Sequence, residues 1–509
     1  MKAHLMYRDG DLDMQRELRP DELDLIQDLE LDVLLRAMAA GEDLLYDVAR
    51  VAVLSGVDND VPTILYRQAI LRDCMAHPEV VQGMYDLASS TIAGERKILF
   101  GLFGRHPDTI LYRSVELLQM FAGALRDLRR YADEHAAQFR SPGFQALFAM
   151  LQQELSDAYL AEINDHLKAL RFSHGVLVSA RLGEGNKGTD YVLRAQPDKT
   201  GWLERLLALR PAEHTITIAD RDVNGAKALT DLREQGINLV ANALAQSTDH
   251  VLSFFRMLQV ELGFYLSCLN VQRRLSDLGQ PLCFPEPAPP EARVQHFQDL
   301  YDASLALTME DRVVGNNLSG DGRDMVVITG ANQGGKSTFL RAVGLAQLMM
   351  QAGMMAPAEV FAASTCDRLF THYRREEDST LTSGKFDEEM SRMSRIVDQM
   401  TAHPMILFNE SFAATNDREG SEIARQIAGA LIEREVRVFF VTHLYQFAHD
   451  LHQQGLDNVL FLRAERLDDG SRTFKVKEGA PLETSFGEDL YDQIFGAPKR
   501  PAPTTIFSK

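Results

Sequence analysis

A glycine-rich segment in the second half of the chain has the residue types and spacing that bind phosphate groups. It fits the pattern G-x-x-x-x-G-K-[ST] at Gly330, Gly335, Lys336 and Ser337, and it lies between a strand pattern and a helix pattern, as this motif requires. Glycines let backbone N–H groups surround phosphate oxygens, and the N-terminus of the following helix adds positive charge. Lys336 would pair with the terminal phosphates, and the Ser337 hydroxyl would ligate Mg²⁺. The segment therefore predicts a nucleoside triphosphate site.

Two other apolar runs end in polar residues that suit the same chemistry. Asn409 and Glu410 follow Met405-Ile-Leu-Phe, and His443 follows Val438-Phe-Phe-Val-Thr. Enzymes with this phosphate loop place an Asp at such a strand end to hold the Mg²⁺ shell, often followed by a Glu that acts as base for the attacking water. Here Asn409 is neutral, Glu410 is the candidate base, and His443 could bind the γ-phosphate or orient the water. The alternative is that Asn409 and Glu410 only open a loop and that His443 is structural.

The elements that must position these residues are strands buried on both faces. Apolar runs predict strands at Met325–Thr329, Met405–Phe408, Val436–Val441 and Asn458–Leu462. They alternate with helical patterns, which is typical of an α/β domain with a largely parallel sheet.

The region before this domain is mainly helical. Apolar residues recur there at three- and four-residue spacing, short β-branched runs interrupt the pattern near residues 173–220, and five prolines cluster at residues 281–290. The predicted organisation is a helical domain at 1–172, a small β insert at 173–220, a helical return at 221–280, a Pro-rich connector at 281–300 and the α/β domain at 301–509.

The motifs of the last 200 or so residues resemble the ATPase domain of the MutS mismatch-repair family, a branch of the ABC-type ATPases. The phosphate loop is similar to that family's form, and Cys366–Thr371, Ser383–Met390, Asn409–Gly420, Thr442–His443 and Thr484–Gly487 resemble its further segments. The helical block is similar to the family's core and lever helices, and the β insert lies where the DNA-clamping domain would be. The implied fold is multidomain: an α-helical core/lever domain with a small β insert, followed by an α/β P-loop ATPase domain.

The resemblance also implies an activity, cofactors and partners. ATP and Mg²⁺ would be the cofactors, and the ATPase would be slow because Asn409 replaces an acidic residue. The chain would form a homodimer through its ATPase domains, with Thr415 and Asn416 of one subunit contacting the γ-phosphate held by the other. DNA would be clamped, and repair proteins are possible partners. The implied ATP contacts are Gly330, Asn332, Gly334, Gly335, Lys336, Ser337 and Thr338, with Asn409 in the second shell of the metal.

The sequence also departs from the family pattern. Nothing at the N-terminus offers the Phe-x-Glu mismatch-reading motif or its domain, and Phe264-Tyr265 lies within a helical apolar stripe, which predicts core packing. The segment Asn409–Gly420 resembles the family's acidic Walker B motif followed by its signature loop. In this signature loop, Ala413-Ala414 replace Arg-Gly, and Asn416 replaces Ser. We therefore expect a clamp on branched or distorted DNA, related to mismatch repair or recombination, that does not itself read mismatches. The alternative is a nucleotide-gated interaction module with little ATP turnover or DNA contact. A small-molecule kinase is disfavoured because no acceptor site is evident.

The charge distribution limits where DNA could bind. The 509 residues carry a net charge of −20, which argues against coating nucleic acid by bulk electrostatics. Residues 9–47 account for −10 of it, whereas residues 171–200 carry five basic and three acidic side chains. We expect the acidic run mainly to solvate outer helix faces. The predicted, salt-sensitive DNA contacts lie in the β insert, at Arg181, Lys187, Arg194 and Lys199.

The remaining composition is typical of a cytoplasmic protein without a membrane segment. The N-terminus is too polar for a signal peptide, and no run approaches the ~20 uninterrupted apolar residues that span a bilayer. The four cysteines lie far apart without a CxxC pair, so we expect buried thiols rather than a zinc site or disulfides.

Overall fold

The computed structural model describes most of the chain and divides into two compact units. The described residues are 1–100, 106–172, 175–194, 217–219, 221–374, 384–467 and 471–482. The unit called here the helical unit contains Met1–Leu5 and Glu79–Leu262, and the unit called the α/β unit contains Met6–Pro78 and Gly263–Lys509.

The secondary structure of the described residues follows the predicted order of helices and strands. The helices are α1 Pro20–Asp28, α2 Leu31–Ala39, α3 Asp43–Ser55, α4 Val61–Ala76, α5 Pro78–Phe100, α6 Pro107–His135, α7 Pro142–Glu154, α8 Asp157–Ala169, α9 Val223–Asp277, α10 Ala303–Met309, α11 Lys336–Gln351, α12 Lys385–Asp398, α13 Asp417–Glu433 and α14 Tyr445–Gln453. The strands are β1 Val178–Leu182, β2 Gly188–Leu193, β3 Glu286–Ala288, β4 Gln295–Leu300, β5 Asn316–Ser319, β6 Met325–Gly330, β7 Val360–Ser364, β8 Arg368–Tyr373, β9 Pro404–Asn409, β10 Arg437–Val441, β11 Val459–Arg466 and β12 Arg472–Glu478.

Prolines and serines begin the helices of the helical unit. Pro107 and Pro142 occupy the first turn of α6 and α7, where a missing N–H costs nothing because that group has no helical partner. The Ser141 and Ser156 hydroxyls accept backbone N–H bonds at the starts of α7 and α8. Among the described helices, only α9 is long and apolar enough to cross a bilayer, and 72% of its most apolar window is buried inside the protein, as in a core helix.

The small β insert is a two-stranded antiparallel hairpin, β1–β2, joined by the turn that the sequence predicts at residues 183–188. The predicted third run begins at Thr215 and falls largely outside the described residues. Its described part, residues 217–219, contains no strand.

The α/β unit contains a six-stranded sheet in the order β12-β11-β6-β10-β9-β8. All neighbours are parallel except β11 and β12, so the predicted parallel α/β region is confirmed. Helix α11 packs against one face, where a Cβ on Gly344 would lie 2.7 Å from Leu407 Cδ1. Helices α12, α13 and α14 cover the other face through a buried cluster that includes Phe370, Ile406, Met393, Ala428, Val438 and Phe447. The carboxyl ends of the five parallel strands therefore meet at one edge.

The proline cluster is not the connector that its composition predicts. Strands β3 and β4 both pair with β7 in a second sheet, ordered β3-β7-β4-β5, so the cluster belongs to the α/β unit. Pro287 lies in β3, an edge strand, where the missing N–H removes no bond from a neighbour. Pro-rich composition predicted extended backbone correctly, but it did not reveal that this backbone pairs.

The predicted boundary between helical and α/β regions also differs from the structure, because α1–α4 belong to the α/β unit. Acidic residues of α1 explain this. Asp21 pairs with Arg368 of β8 at 3.1 Å, and the buried Arg392 of α12 pairs with Asp24 at 3.5 Å and with Asp28. The expectation that the acidic run mainly solvates outer helix faces is therefore wrong for α1, where the carboxylates compensate Arg368 and Arg392.

Two smaller predictions are confirmed, the second of them, that of buried thiols, for three of the four cysteines. Phe264 and Tyr265 are fully buried in α9. All four cysteines are free thiols, and Cys283 alone among them is partly exposed.

Candidate active site

The phosphate-binding motif forms the loop between β6 and α11. Gly330 has φ of 114° and Gly335, which caps α11, has φ of 87°, values that favour glycine. A Cβ on Gly334 would lie 2.9 Å from the carbonyl oxygen of Ala331, so a side chain there would force the loop to move. The glycines thus permit a tight loop that leads directly into the N-terminus of a 16-residue helix.

Lys336 lies under this loop and is only 4% exposed. Its ammonium donates to the carbonyl oxygens of Gly330 and Ala331 at 3.1 and 3.0 Å. Burial lowers the pKa of Lys336 to about 8, and the nearby Glu410 carboxylate opposes that shift. The ammonium is therefore close to losing its proton in the mildly alkaline range, and any additional negative charge beside it would stabilise the protonated form.

The two residues predicted for the metal shell lie in direct contact. The Ser337 hydroxyl donates to Oδ1 of Asn409 at 2.9 Å, across a sequence separation of 72. Ser337 lies in the first turn of α11 and Asn409 ends β9, so the common edge of the parallel strands brings them together. No group of three or more His, Cys, Asp or Glu residues suited to a metal occurs in the described part of the chain.

Glu410 and His443 also meet at this edge. Nε2 of His443 lies 2.7 Å from Oε1 of Glu410. That hydrogen bond is the largest cause of a lowered pKa for Glu410, with further contributions from the charges of Lys336 and Arg374. Glu410 has φ of 55°, and its N–H donates to the Val441 carbonyl at 2.9 Å, which anchors the turn after β9 to β10. Glu410 is therefore held ionised at neutral pH, as a hydrogen-bond acceptor.

Ser411, the residue after Glu410, is held in place by hydrogen bonds to the buried His372. Nδ1 of His372, on β8, lies 2.7 Å from the Ser411 hydroxyl, and Nε2 lies 2.9 Å from the Glu389 carbonyl. Burial lowers the pKa of His372 to about 4, so the ring is neutral near pH 7. The neutral ring donates from Nε2 to the Glu389 carbonyl, and the Ser411 hydroxyl also donates to the His372 carbonyl at 2.6 Å. These contacts tie the turn after β9 to β8 and α12. Sequence reasoning missed this contact because the three residues belong to separate motifs.

The phosphate loop opens into a cleft of about 780 Å³, within the range of small-molecule sites. Asn332, Gly334, Gly335, Lys336, Ser337, Thr338, Glu410 and His443 all line it. Its other lining residues include the apolar side chains of Tyr301, Leu305, Met309, Val314 and Phe474. No sequence pattern predicted this apolar part, because its residues come from α10 and the residues just before it, the loop before β5, and β12. The cleft therefore combines a polar, glycine-rich part with an apolar part.

The signature-loop residues lie elsewhere. Asn416 caps α13, since its Oδ1 accepts the Glu419 N–H at 3.0 Å, and the Thr415 hydroxyl donates to the Glu419 carboxylate at 2.7 Å. Neither is among the described residues that line the 780 Å³ cleft. The neighbouring Ala413 and Asp417 line a second cleft of about 1100 Å³, which shares His443 with the first.

The predicted DNA contacts are exposed and loosely held. Arg181 is 84% exposed and lies 3.9 Å from Asp190, and Lys187 is exposed at the turn of the hairpin. Nε of Arg194 donates to the Ser179 hydroxyl at 2.9 Å. Lys199 and the predicted segment Thr484–Gly487 lie outside the described residues.

Together these features define a class: a helical region followed by an α/β domain with a glycine-rich strand–loop–helix. Comparison with family models agrees with this class. A model of the MutS2 N-terminal domain matches residues 59–278, and a model of MutS domain V matches residues 326–499.

Individual relatives match a shorter part of the chain. A DNA mismatch repair protein MutS from Thermotoga petrophila is 34% identical over 179 residues, which cover 35% of this chain and 22% of that relative. One from Synechocystis is 37% identical over 124 residues, covering 24% and 14%. MutS protein homolog 4 of Homo sapiens is 27% identical over 189 residues, covering 36% and 20%.

The chain belongs to the MutS family, since both family models that match it are models of MutS-family domains. It matches between 14% and 22% of the length of these relatives.

Proposed function

We propose that this MutS-family protein binds ATP with Mg²⁺ in the 780 Å³ cleft, hydrolyses it slowly, and uses the nucleotide to control a dimeric clamp on DNA. One observation carries the proposal. A single cleft joins a buried lysine under a glycine loop, a serine hydroxyl bonded to Asn409, and a carboxylate bonded to a histidine.

The donor set suits a nucleoside triphosphate. The glycine loop and the N-terminus of α11 supply backbone N–H groups, and Lys336 supplies an ammonium whose proton a phosphate would stabilise. Ser337 and Asn409 would hold Mg²⁺, the former directly and the latter through water, since Mg²⁺ usually keeps several waters beside phosphate oxygens. Bound there, Mg²⁺ would neutralise charge on the terminal phosphates.

Glu410 and His443 suit the handling of a water molecule. Glu410 is ionised and can accept a hydrogen bond from water, while His443 fixes the orientation of its carboxylate. We propose that Glu410 is the base and that His443 orients Glu410 or the γ-phosphate.

Slow turnover follows from Asn409. A neutral amide cannot make the charge-assisted hydrogen bond that a carboxylate makes to the metal's water shell, which is worth about 1–3 kcal/mol. Mg²⁺ should therefore bind less tightly than with an aspartate at this position.

Dimerisation and DNA binding extend the proposal to the rest of the chain. The carbonyl of Asn416 caps α13 and its amide also bonds to the Glu419 carboxylate, which leaves one amide N–H to donate to a phosphate held by a second subunit. Arg181, Lys187 and Arg194 would contact DNA phosphates of a branched or distorted duplex. Repair-protein partners and a cytoplasmic location stay predictions.

ATP turnover by purified protein tests the enzymatic part. Wild-type protein should release phosphate slowly, and Glu410→Gln should abolish release while retaining nucleotide binding. Glu433→Gln, at an exposed position near the end of α13, is the matched control and should be unchanged. Equal phosphate release by Glu410→Gln and wild type would remove Glu410 from the mechanism.

A second function, a nucleotide-gated interaction module with little turnover or DNA contact, is favoured by the neutral Asn409. Filter binding to homoduplex, mismatched and four-way DNA, with and without ATP, separates the two. ATP-dependent retention of any of these DNAs supports the clamp. ATP-dependent dimerisation in sedimentation without DNA retention supports the interaction module.

A further inference from the structure

Arg374 follows β8 at the same sheet edge as the predicted metal and base residues. The last residue of β8, Tyr373, is in register with Asn409, and the N–H of Arg374 donates to the Asn409 carbonyl at 3.0 Å. This backbone bond fixes the start of the Arg374 side chain beside the end of β9. No motif in the sequence singled out this residue.

The Arg374 side chain is exposed and faces the cleft that holds the phosphate loop. It lines that cleft together with Lys336, Glu410 and His443, and it also lines the second cleft. Its charge acts on two carboxylates: it contributes to the lowered pKa of Glu410, and it opposes the rise that burial causes in the pKa of Glu389. Arg374 and Glu410 therefore line the same cleft, so a ligand bound there can meet both side chains.

The balance of charge around Glu410 is unusual for a site that would rely on Mg²⁺. Position 409 carries a neutral amide bonded to Ser337, so the metal would lack one source of attraction. At the same time, the residue bonded to Asn409 through the backbone is a permanent cation. A guanidinium presents several N–H donors in a plane and can bind two phosphate oxygens at once. The Arg374 guanidinium can thus neutralise phosphate charge that a weakly bound metal would leave uncompensated.

We propose that Arg374 is a catalytic residue that binds the terminal phosphate of the nucleotide in the same subunit, and thereby makes triphosphate binding less dependent on Mg²⁺. The inference rests on the proposed function, because it assumes that the cleft binds a nucleoside triphosphate. An arginine placed against a transferring phosphoryl group also stabilises the charge that develops during hydrolysis.

The test compares a triphosphate analogue with a diphosphate in the absence of metal. Binding of adenylyl imidodiphosphate and of ADP to the full chain is measured by calorimetry in EDTA. Arg374→Gln should weaken binding of the triphosphate analogue about tenfold, the range of a charge-assisted hydrogen bond, and change ADP binding less than threefold. Arg374→Lys should recover part of the affinity, because it keeps the charge without the planar donors.

Two controls keep the result interpretable. Arg434→Gln removes an exposed arginine near the start of β10, at the opposite edge of the sheet, and should leave both affinities unchanged. Lys336→Ala should bind both nucleotides at least about a hundredfold more weakly.

An equal drop in affinity for both nucleotides in Arg374→Gln, or no drop for either, would overturn the inference while leaving the proposed function intact. If the wild-type chain bound neither nucleotide in EDTA, the inference would fail, and a repeat of the titration with Mg²⁺ would test the proposed function separately: no binding there would overturn it as well.

Discussion

The nucleotide cleft and the β1–β2 hairpin hold their predicted functional residues in opposite ways. In the cleft, residues distant in sequence meet at 2.7–2.9 Å, and Lys336 is nearly fully buried. In the hairpin, the predicted DNA-binding residues are neighbours in sequence, and Arg181 is 84% exposed.

The difference has a physical cause. Parallel strands bring their carboxyl ends to one edge, and polar groups there are held by bonds to one another, so their positions are determined before any ligand arrives. The exposed cations of the hairpin have fewer restraints, such as the bond from Arg194 to Ser179, and phosphates would largely fix their positions. A single substitution in the cleft should therefore cause a large loss of nucleotide binding, whereas substitutions in the hairpin should weaken DNA binding only slightly.

The largest expected effect is that of Lys336→Ala. It removes the ammonium that faces the phosphate loop, so nucleotide affinity should fall at least about a hundredfold, as expected for a charged partner in a desolvated site. Calorimetric titration with ATP and Mg²⁺ measures the decrease, and a thermal melt without nucleotide checks the fold. A decrease of less than threefold would show that the cleft does not bind through this residue, and the contrast with the hairpin would disappear.

The pH dependence of nucleotide binding gives a second, smaller effect. Burial lowers the pKa of Lys336 to about 8 in the free protein, and a bound phosphate would raise it. The favourable contribution is therefore complete below about pH 8 and disappears as the pH rises, so affinity should fall about tenfold between pH 7 and 9. Lys336→Ala should be nearly insensitive over this range. A flat profile for the wild type would mean that this ammonium does not contact the ligand.

Asn409→Asp should strengthen Mg²⁺ binding in the cleft and so increase the difference between the cleft and the hairpin. A carboxylate beside Ser337 restores a charge-assisted bond to the metal's water shell, so the Mg²⁺ concentration at half-maximal ATP binding should fall about fivefold. Asn242→Asp, at an exposed position on α9, serves as a control for adding a carboxylate elsewhere in the chain and should leave the Mg²⁺ requirement unchanged. Identical Mg²⁺ titrations for Asn409→Asp and wild type would remove Asn409 from the metal shell.

The same contrast explains what the sequence could predict. Gly330, Gly335, Lys336 and Ser337 lie within one short segment, and the strand before it is apolar throughout. The local pattern was therefore sufficient to predict the loop between β6 and α11. The apolar part of the cleft and Arg374 were missed because their residues are brought together only by the order of the strands. That order depends on tertiary packing, which periodicity does not encode.

Two errors have a similar origin. The prolines at 281–290 correctly predicted extended backbone. They did not predict that β3 and β4 pair with β7, because this pairing joins segments distant in sequence. The acidic residues of α1 suggested solvation, yet Asp21 and Asp28 lie against arginines more than 340 positions away. Composition showed the charges and not their partners.

The smallest expected effect lies in the hairpin. Replacing Arg181 and Lys187 with Gln removes two exposed cations, so affinity for four-way DNA should fall about threefold near physiological salt. The slope of log affinity against log salt should decrease by about 1 for each phosphate that is no longer neutralised, and ATP binding should stay unchanged. The matched control replaces Arg130 and Lys168, exposed cations on α6 and α8, and should leave the salt slope as it is. Equal slopes for the two double variants would mean that the hairpin does not bind DNA, because overall charge alone would then account for binding.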